Sequence, residues 1–322
     1  MADDLLDVEN LSISLGKPGS QITPVDGVTF TVEAGQALGL VGESGSGKSL
    51  TLRAIIGLLP PHSQVKGSLR FKGKPYKQAD LRGRGIGMIF QEPMIALNPT
   101  MRVGDFIAEA VRIRQKLSKK EMQERVIELM NSVGISNPQG RLRAWPHELS
   151  GGLRQRVMIA AALATNPELL LCDEPTTALD VCVQDQILGL LRDLAVQRQM
   201  SMIFVSHDLA VVSMLCQKIA VMYAGQVIEV SSTADLLKSP KHPYSAALLA
   251  SVPSSAKAED KLQGIEGRPP DPSQFAVGCR FAERCAYVKA DCRARSPELR
   301  MVAPDRWSRC FYSESFADQQ AV

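Results

Sequence analysis

An α/β fold organised around a glycine-rich loop is predicted by three features of the sequence. Short apolar runs typical of buried strands recur at 36–41, 85–90, 169–172 and 200–205. Segments with helical periodicity lie between them, and the longest spans 105–163. Between the first apolar run and the next helical segment lies the loop Gly42-Glu43-Ser44-Gly45-Ser46-Gly47-Lys48-Ser49. Strand, loop and helix in this order match the phosphate-binding P-loop.

The loop predicts that the chain binds a nucleoside triphosphate. Its glycines allow successive backbone N–H groups to face an anion at the start of the following helix. Lys48 is expected to reach the β- and γ-phosphates, and the Ser49 hydroxyl is expected to ligate Mg²⁺. A glycine-rich turn without a ligand is the alternative, and the match at every fixed position in the right context argues against it.

Length and composition predict one large α/β domain and a smaller appendage. The chain has 322 residues, 45% hydrophobic and 22% charged, which is typical of a soluble protein with a full core. A net charge of +3 is too small to indicate a nucleic-acid partner. No apolar run approaches the roughly 20 residues of a membrane helix, and Met1-Ala2-Asp3-Asp4 is acidic where a signal peptide would be basic. The chain is therefore expected to stay on the cytoplasmic side.

Polar side chains follow three of the predicted strands. Asp173 and Glu174 end one apolar run; Asp173 is predicted to hold Mg²⁺, and Glu174 to orient or deprotonate the water that attacks the γ-phosphate. Gln91 follows a second run, from which it can reach the metal ion and that water. His207 follows a third, at the same edge of a parallel sheet. The alternatives are solvated acids, a solvated loop glutamine and a surface or capping histidine.

A second anion site is predicted at Ser150-Gly151-Gly152, where another helix begins. Ser150 is a good N-cap, and the two glycines leave backbone N–H groups exposed at the positive end of the helix. A plain turn with a cap is the alternative. This helix belongs to the segment 105–163, which also contains the capping box Ser118-Lys119-Lys120-Glu121 and is predicted to be a helical insertion in the α/β core. Runs at 5–15 and 25–32 are expected to form a small antiparallel sheet.

The seven cysteines fall into two groups. Cys172, Cys182 and Cys216 lie in apolar or helical stretches and are expected to be free buried thiols. The other four lie near the end of the sequence: Cys279, Cys285, Cys292 and Cys310. A reducing cytoplasm disfavours disulfides, so a metal ion or cluster is predicted there. Four thiolates suit iron–sulfur or zinc, and free thiols are the third possibility.

Together these motifs resemble those of ATP-binding-cassette (ABC) ATPases over about residues 5–230. The residues that carry the resemblance are the P-loop 42–49, Gln91, the signature Leu149-Ser150-Gly151-Gly152, Asp173, Glu174, Asp180 and His207. The resemblance implies a P-loop NTPase of the ABC type, with a RecA-like core, an antiparallel β subdomain and a helical subdomain. It also implies a head-to-tail dimer in which each ATP lies between the P-loop of one subunit and the signature of the other.

The resemblance also implies roles for single residues. Glu174 would be the catalytic base, and His207 would contact the γ-phosphate. Gln91 would link the ATP state to a membrane partner, and Asp180 would couple the two ATP sites. The signature departs from many relatives at Leu153, where they carry glutamine. Because Leu15 stands where many stack adenine on an aromatic ring, no adenine contact is assigned.

The end of the chain resembles the oligopeptide/dipeptide (peptide/nickel) importer ATPases. The segments that carry this resemblance are Ser239-Pro240-Lys241-His242-Pro243-Tyr244 and Gly278-Cys279-Arg280-Phe281-Ala282-Glu283-Arg284-Cys285, continued by Cys292 and Cys310. It implies that the four cysteines hold a [4Fe–4S] cluster, with Zn²⁺ as the alternative. The expected domains are an ATPase at 1–235, with its helical insertion at about 100–165, and a small Cys-containing C-terminal domain at 236–322.

The resemblance implies an energy-coupling ATPase subunit of a bacterial di- or oligopeptide importer, peripheral on the cytoplasmic face of the inner membrane. Its expected partners are two transmembrane permease subunits, a second ABC ATPase subunit and, through the complex, an extracytoplasmic peptide-binding protein. One alternative keeps this role with nickel, an opine or a glycoside as cargo. The other is a soluble ABC ATPase that acts in DNA repair or on ribosomes.

Overall fold

The computed structural model describes residues 4–17, 19–177, 179–251, 264–314 and 316. Residues 1–3, on which the signal-peptide prediction partly depends, lie outside these ranges. The strands are β1 Asp4–Leu15, β2 Ile22–Glu33, β3 Ala37–Val41, β4 Gln64–Phe71, β5 Lys74–Pro75, β6 Ile86–Ile89, β7 Leu169–Asp173, β8 Ser201–Ser206, β9 Lys218–Tyr223, β10 Gln226–Ser232, β11 Arg300–Ala303 and β12 Arg306–Ser308.

Helices connect most of these strands. They are α1 Lys48–Ile56, α2 Gln78–Leu81, α3 Pro93–Ala96, α4 Val103–Arg112, α5 Lys119–Ser132, α6 Pro138–Arg141, α7 Gly151–Leu163, α8 Val181–Gln197, α9 Leu209–Leu215, α10 Thr233–Lys238, α11 Pro243–Ala250 and α12 Ala290–Ala294. Single 3₁₀ turns occur at Pro146–Glu148 and Ala282–Arg284. The chain separates into two compact units, Met1–Pro75 with Phe204–Val322, and Tyr76–Ile203.

The first unit contains an antiparallel sheet with the strand order β2-β1-β4-β5. Leu6 and Val8 are buried in β1, and so are Leu11 and Ile13 beyond a register shift in the pairing with β2. Each pair is two residues apart because a strand that packs on one face buries every second residue. The small antiparallel sheet that the alternating pattern predicts is therefore present.

A second set of strands in this unit carries the glycine-rich loop. Its order is β11-β12-β10-β9-β3, and β3 pairs with β9 in parallel while the other pairs are antiparallel. All five residues of β3 are buried. Helix α9 packs directly on β3 at Gly39, where a Cβ atom would lie 2.0 Å from Cγ1 of Val212.

A separate Cys-containing C-terminal domain is not confirmed. Strand β12 pairs with β10 through Glu229 and Ser308, so the end of the chain extends a sheet that also contains β3. This segment accordingly belongs to the first unit. The expected boundary between residues 235 and 236 falls inside that unit and stays a prediction.

The second unit contains helices where the periodicity predicts them. Helices α4, α5 and α7 pack on one another, and α7 also packs on α8. The capping box at the start of α5 is present, since Glu121 N donates to Ser118 Oγ at 3.3 Å and Ser118 N donates to Glu121 Oε2 at 2.8 Å. Strands β6 and β7 pair in parallel, with Ile86 beside Leu169 and Ile89 beside Cys172.

One cysteine expectation is wrong. Cys172 and Cys216 are buried and form no disulfide, but Cys182 is exposed. Cys182 is the second residue of α8, and its neighbour Val181 is also exposed, so the first turn of this helix faces outward in the described chain. None of the helices in the described ranges combines the length and apolarity needed to cross a bilayer.

Two glycines distinguish a packed strand from an open helix surface. Gly39→Ala is expected to lower the free energy of unfolding by about 1–3 kcal/mol, because its Cβ would overlap Val212. Gly189→Ala, in the middle of α8 with no atom within 4 Å of the new Cβ, should instead raise it by about 0.5–1 kcal/mol. Urea unfolding of both variants checks this pair, and equal effects would contradict the packing described for Gly39.

Candidate functional site

The glycine-rich loop joins β3 to α1 and has the backbone of an anion cradle. Gly42, Gly45 and Gly47 have φ angles of +155°, +79° and +99°, a region that favours glycine. A Cβ at Gly42 would lie 2.1 Å from the carbonyl oxygen of Met222 on β9, so no side chain fits there. Ser44 and Gly45 form the exposed tip of the loop. Ser49 is the second residue of α1 and is half-buried.

The ammonium of Lys48 is held inside the loop. The residue is 5% exposed. Its Nζ donates to the carbonyl oxygens of Gly42 at 2.7 Å and Glu43 at 2.9 Å. A buried cation requires such acceptors because it has lost its water. The loop therefore concentrates a positive charge at the N-terminal end of α1, where the helix dipole is also positive.

Ser46, one of the predicted P-loop residues, adds a structural indication of a ligand. It is 3% exposed, and its hydroxyl has no hydrogen-bond partner in the described part of the chain. Buried hydroxyls normally have a partner, so one left alone indicates a missing group. A phosphate in the cradle would supply an acceptor. The residues of the loop thus fit an anionic ligand.

His207 lies directly after β8 and is exposed. Its neighbour Asp208 caps α9, with Oδ1 accepting from Ala210 N at 2.8 Å and from Val211 N at 3.4 Å. The capping role that was the alternative for His207 therefore belongs to Asp208, and the imidazole of His207 stays at the surface of the first unit.

In the second unit, parallel pairing of β6 and β7 brings Gln91 and Glu174 together. Gln91 Nε2 donates to Glu174 Oε2 at 3.4 Å, and Thr177 Oγ1 donates to the same oxygen at 2.9 Å. Glu174 is half-buried and has a φ of +44°, which is uncommon for a residue with a side chain. Two neutral donors on one carboxylate oxygen fix its orientation. Thr177 was not among the predicted site residues.

Asp173 closes β7 and is 1% exposed. A buried carboxylate at the end of a parallel strand is a suitable ligand for a hard cation such as Mg²⁺. Oxygen ligands are also available from the neighbouring Glu174 and Gln91. The residues at the ends of β6 and β7 therefore have the chemistry that the predicted Mg²⁺ role requires.

The signature glycines start α7 as predicted. Ser150 is the N-cap, and its Oγ accepts from Leu153 N at 3.4 Å. Gly151 is exposed, while a Cβ at Gly152 would lie 2.6 Å from Cγ1 of Val183 on α8. Gly152 thus also has a packing role. The helix start has the open N–H groups that an anion site needs.

Asp180 has a local role that its sequence context could have indicated. It is the N-cap of α8, and its Oδ1 accepts from Val183 N at 3.0 Å. Aspartate immediately before a helix is a common N-cap. The coupling role that the resemblance implies for Asp180 stays a prediction.

The four C-terminal cysteines line one cavity. Its volume is about 30 Å³, and aromatic rings make up much of the wall. The wall contains Cys279, Cys285, Cys292, Cys310, His242, Phe281, Tyr287, Phe311, Tyr312 and Phe316. Backbone N–H groups two residues further on donate to three of the sulfurs: Phe281 to Cys279, Tyr287 to Cys285 and Tyr312 to Cys310.

Burial, and to a smaller extent the neighbouring cysteines, raise the pKa of Cys279 to about 11. Burial also raises the pKa of Cys285 and Cys310. Without a bound cation these thiols are neutral at pH 7, since a thiolate needs a compensating charge. No set of three or more His, Cys, Asp or Glu side chains within the described ranges is arranged to hold a metal ion. The predicted metal is therefore not confirmed.

Comparison with known proteins gives the family. A model of the ABC transporter family matches residues 25–177, and a model described as oligopeptide/dipeptide transporter, C-terminal region, matches residues 228–292. A probable peptide ABC transporter ATP-binding protein, y4tR of Sinorhizobium fredii, is 44% identical over 97% of this chain and 96% of its own length. The chain belongs to the ABC transporter ATP-binding proteins.

One further relative and one solved structure also resemble this ABC protein. Oligopeptide transport ATP-binding protein OppD of Mycobacterium tuberculosis is 44% identical over 99% of this chain, which spans only 53% of that relative. A dimeric structure of the ATP-binding cassette MJ0796, in a post-hydrolysis state with ADP and Pi, has a TM-score of 0.62 and 26% identity. The match covers 71% of this chain and 98% of that one. The predicted ABC ATPase fold is confirmed.

The two signature glycines of this ABC protein are expected to differ when replaced. Gly152→Ala should lower the free energy of unfolding by about 1–3 kcal/mol, because its Cβ overlaps Val183. Gly151→Ala places its Cβ 3.5 Å from Leu179, an ordinary contact, so its stability should stay within about 0.5 kcal/mol of wild type. Urea unfolding measures both effects. Adding Val183→Ala should relieve Gly152→Ala, and an unrelieved double variant would contradict the overlap.

Proposed function

We propose that this chain hydrolyses ATP as the energy-coupling subunit of a bacterial ABC importer, with di- or oligopeptides as the cargo. The observation that carries the proposal is the match to y4tR of S. fredii over almost both full lengths, in a chain that also matches the oligopeptide/dipeptide C-terminal region. The proposal divides the chain into two functional parts. Residues 1–235 bind the nucleotide and contain the helical insertion at about 100–165, and residues 236–322 form an extension.

ATP binding is assigned to the P-loop, residues 42–49. The buried Lys48 ammonium and the N-terminus of α1 supply positive charge for the β- and γ-phosphates. The unpaired Ser46 hydroxyl supplies a further hydrogen bond. Mg²⁺ bound with ATP neutralises charge on the phosphates, and Ser49, Gln91 and Asp173 are its proposed ligands.

Hydrolysis is assigned to Glu174, and Gln91 and His207 are proposed to assist it. Thr177 and Gln91 hold one oxygen of the Glu174 carboxylate, and this oriented carboxylate is proposed to accept a proton from the attacking water. His207 is proposed to donate to the γ-phosphate. In a dimer, Ser150, Gly151 and Gly152 would bind the partner's ATP, and Asp180 would couple the two sites. Support comes from MJ0796, a cassette described as dimeric with ADP and Pi.

In this proposal the chain uses ATP to drive transport that other chains carry out. ATP that binds the closed cassette dimer better than the open one shifts the population toward closure. The proposed partners are two transmembrane permease subunits, a second ABC ATPase subunit and an extracytoplasmic peptide-binding protein. The chain would then lie peripherally on the cytoplasmic face of the inner membrane. Support for a transporter role comes from the names of the relatives and from the two family models.

Co-purification from membranes under anaerobic conditions tests this assignment. The expected result is two multispanning subunits, a second cassette and a peptide-binding protein, identified by mass spectrometry. A nickel-, opine- or glycoside-binding protein in place of the last would contradict the peptide cargo. Recovery with soluble partners or nucleic acid only would contradict the importer role.

We further propose that the four-cysteine cavity holds a [4Fe–4S] cluster, with Zn²⁺ as the alternative. The support is that four thiols line one cavity and that three of them accept backbone N–H groups, as cluster sulfurs often do. The intervals between the four cysteines lack the paired C-x₂-C spacing of common zinc ribbons, which favours the cluster over zinc.

Glu174→Gln is expected to bind ATP and to lose at least about 100-fold in turnover, because the base that receives the proton of water is removed. Phosphate release measures turnover, and nucleotide-dependent dimerisation by gel filtration shows the trapped state. The control is Glu124→Gln, which changes an exposed carboxylate on α5. Hydrolysis at the wild-type rate by Glu174→Gln would remove this residue from the catalytic role.

The double substitution Cys279→Ser and Cys285→Ser is expected to abolish bound metal and to destabilise the C-terminal segment. Iron, sulfide and zinc content after anaerobic purification measure the first effect, and the absorption near 400 nm separates a cluster from zinc. Cys182→Ser, at an exposed cysteine outside the cavity, is the matched control. A wild-type protein with neither metal would show that the thiols are free.

A further inference from the structure

Arg284 of the C-terminal segment reaches the nucleotide loop. Its Nη1 and Nη2 donate to the two carboxylate oxygens of Glu43 at 2.6 and 2.9 Å, a bidentate ion pair. Its remaining N–H groups donate to the Tyr223 hydroxyl at 3.3 Å, the Ile265 carbonyl at 3.2 Å and the Glu266 carbonyl at 2.8 Å. All five donors are used, and the side chain is only 6% exposed. The guanidinium therefore has one well-defined position.

Glu43 connects this guanidinium to the centre of the loop. Its backbone N–H donates to the hydroxyl of Tyr244 at 3.0 Å, so the residue is held from the C-terminal segment at two points. Its carbonyl oxygen accepts from Lys48 Nζ at 2.9 Å and from Ser46 N at 3.2 Å. A displacement of Glu43 would therefore displace the acceptor on which the Lys48 ammonium depends.

The charge of Glu43 is unfavourable for the function of its own loop. ATP carries several negative charges on its phosphates, and a carboxylate in the second position of the cradle would repel them. Arg284 neutralises that carboxylate and holds it on the side of the C-terminal segment. Removing one partner of a pair that is mostly out of water leaves an uncompensated charge, which is more harmful than removing both.

A second arginine of the same segment holds the other side of the loop. Arg280 donates to the Ala224 carbonyl and to Asp26 Oδ2, each at 2.5 Å. The next residue, Gly225, donates its N–H to the carbonyl of Ser46 at 3.0 Å. Arg280 follows Cys279 and Arg284 precedes Cys285. The short stretch between two of the cavity cysteines thus contacts the loop directly through Arg284 and indirectly through Arg280.

We propose that Arg284 is a positioning residue for ATP binding, which neutralises Glu43 and fixes the carbonyl that holds the Lys48 ammonium. The inference rests on the proposed binding of ATP by the P-loop. It gives the C-terminal extension a direct part in forming the nucleotide site. It also explains how an acidic residue is tolerated inside an anion-binding loop.

The test is a charge-removal cycle in the full chain, with binding of a fluorescent ATP analogue and Mg²⁺ as the readout. Arg284→Gln is expected to weaken binding about tenfold, because Glu43 is left unpaired. The double variant Glu43→Gln with Arg284→Gln should recover to within about threefold of wild type, since the repelling charge is gone. Arg284→Lys should fall between them, because lysine keeps the charge but cannot pair bidentately.

Arg293→Gln is the matched control, since Arg293 makes an exposed ion pair with Glu283 in the same segment. It should bind the analogue like wild type, and thermal unfolding without nucleotide shows that each variant is folded. If Arg284→Gln does not fold, Arg284→Lys and the double variant decide the matter.

Wild-type affinity in Arg284→Gln, or a double variant as weak as Arg284→Gln, would overturn the proposal while ATP binding stands. Failure of the wild-type chain itself to bind the analogue would instead overturn the proposed function together with this inference.

Discussion

The burial of the Lys48 ammonium is the constraint on which the nucleotide site depends. A charge out of water must have its donors used, and Nζ donates to the carbonyl oxygens of Gly42 and Glu43. Pointing both carbonyls inward requires the loop to turn sharply, and Gly42 has a φ of +155°. Parallel pairing of β3 with β9 then places the Met222 carbonyl where a side chain on Gly42 would lie. Glycine at position 42 is therefore required both by the turn of the loop and by the close approach of β9.

The C-terminal segment shares an aromatic cluster with the loop. Tyr223, Tyr244 and Phe281 have ring centroids between 4.6 and 5.4 Å apart. Phe281 also lines the cysteine cavity, while the hydroxyls of Tyr223 and Tyr244 bond to Arg284 and Glu43. The rings pack on each other, and their polar tips point to the loop, as buried tyrosines require. The cysteine cavity and the nucleotide loop thus contact the same aromatic cluster within the first unit.

The sequence predicts much of the fold because the signals involved are local. The P-loop, the strand ends at Asp173 and Glu174, and the capping box at Ser118 each need only a few neighbouring residues to be recognised. The pairing of β10 with β12 and the contact of Arg284 with Glu43 could not be predicted in this way, since no local pattern specifies a partner far along the chain. Cys182 was misassigned because helical periodicity gives a face but not which face is covered.

The ion pair between Glu43 and Arg284 joins residues 241 positions apart. A ribosome adds roughly 5–20 residues per second, so the loop is synthesised about 12–50 s before its arginine. During that interval Glu43 is in the nascent chain without its counter-charge. The nucleotide loop therefore reaches its final electrostatic state only after translation has passed Arg284.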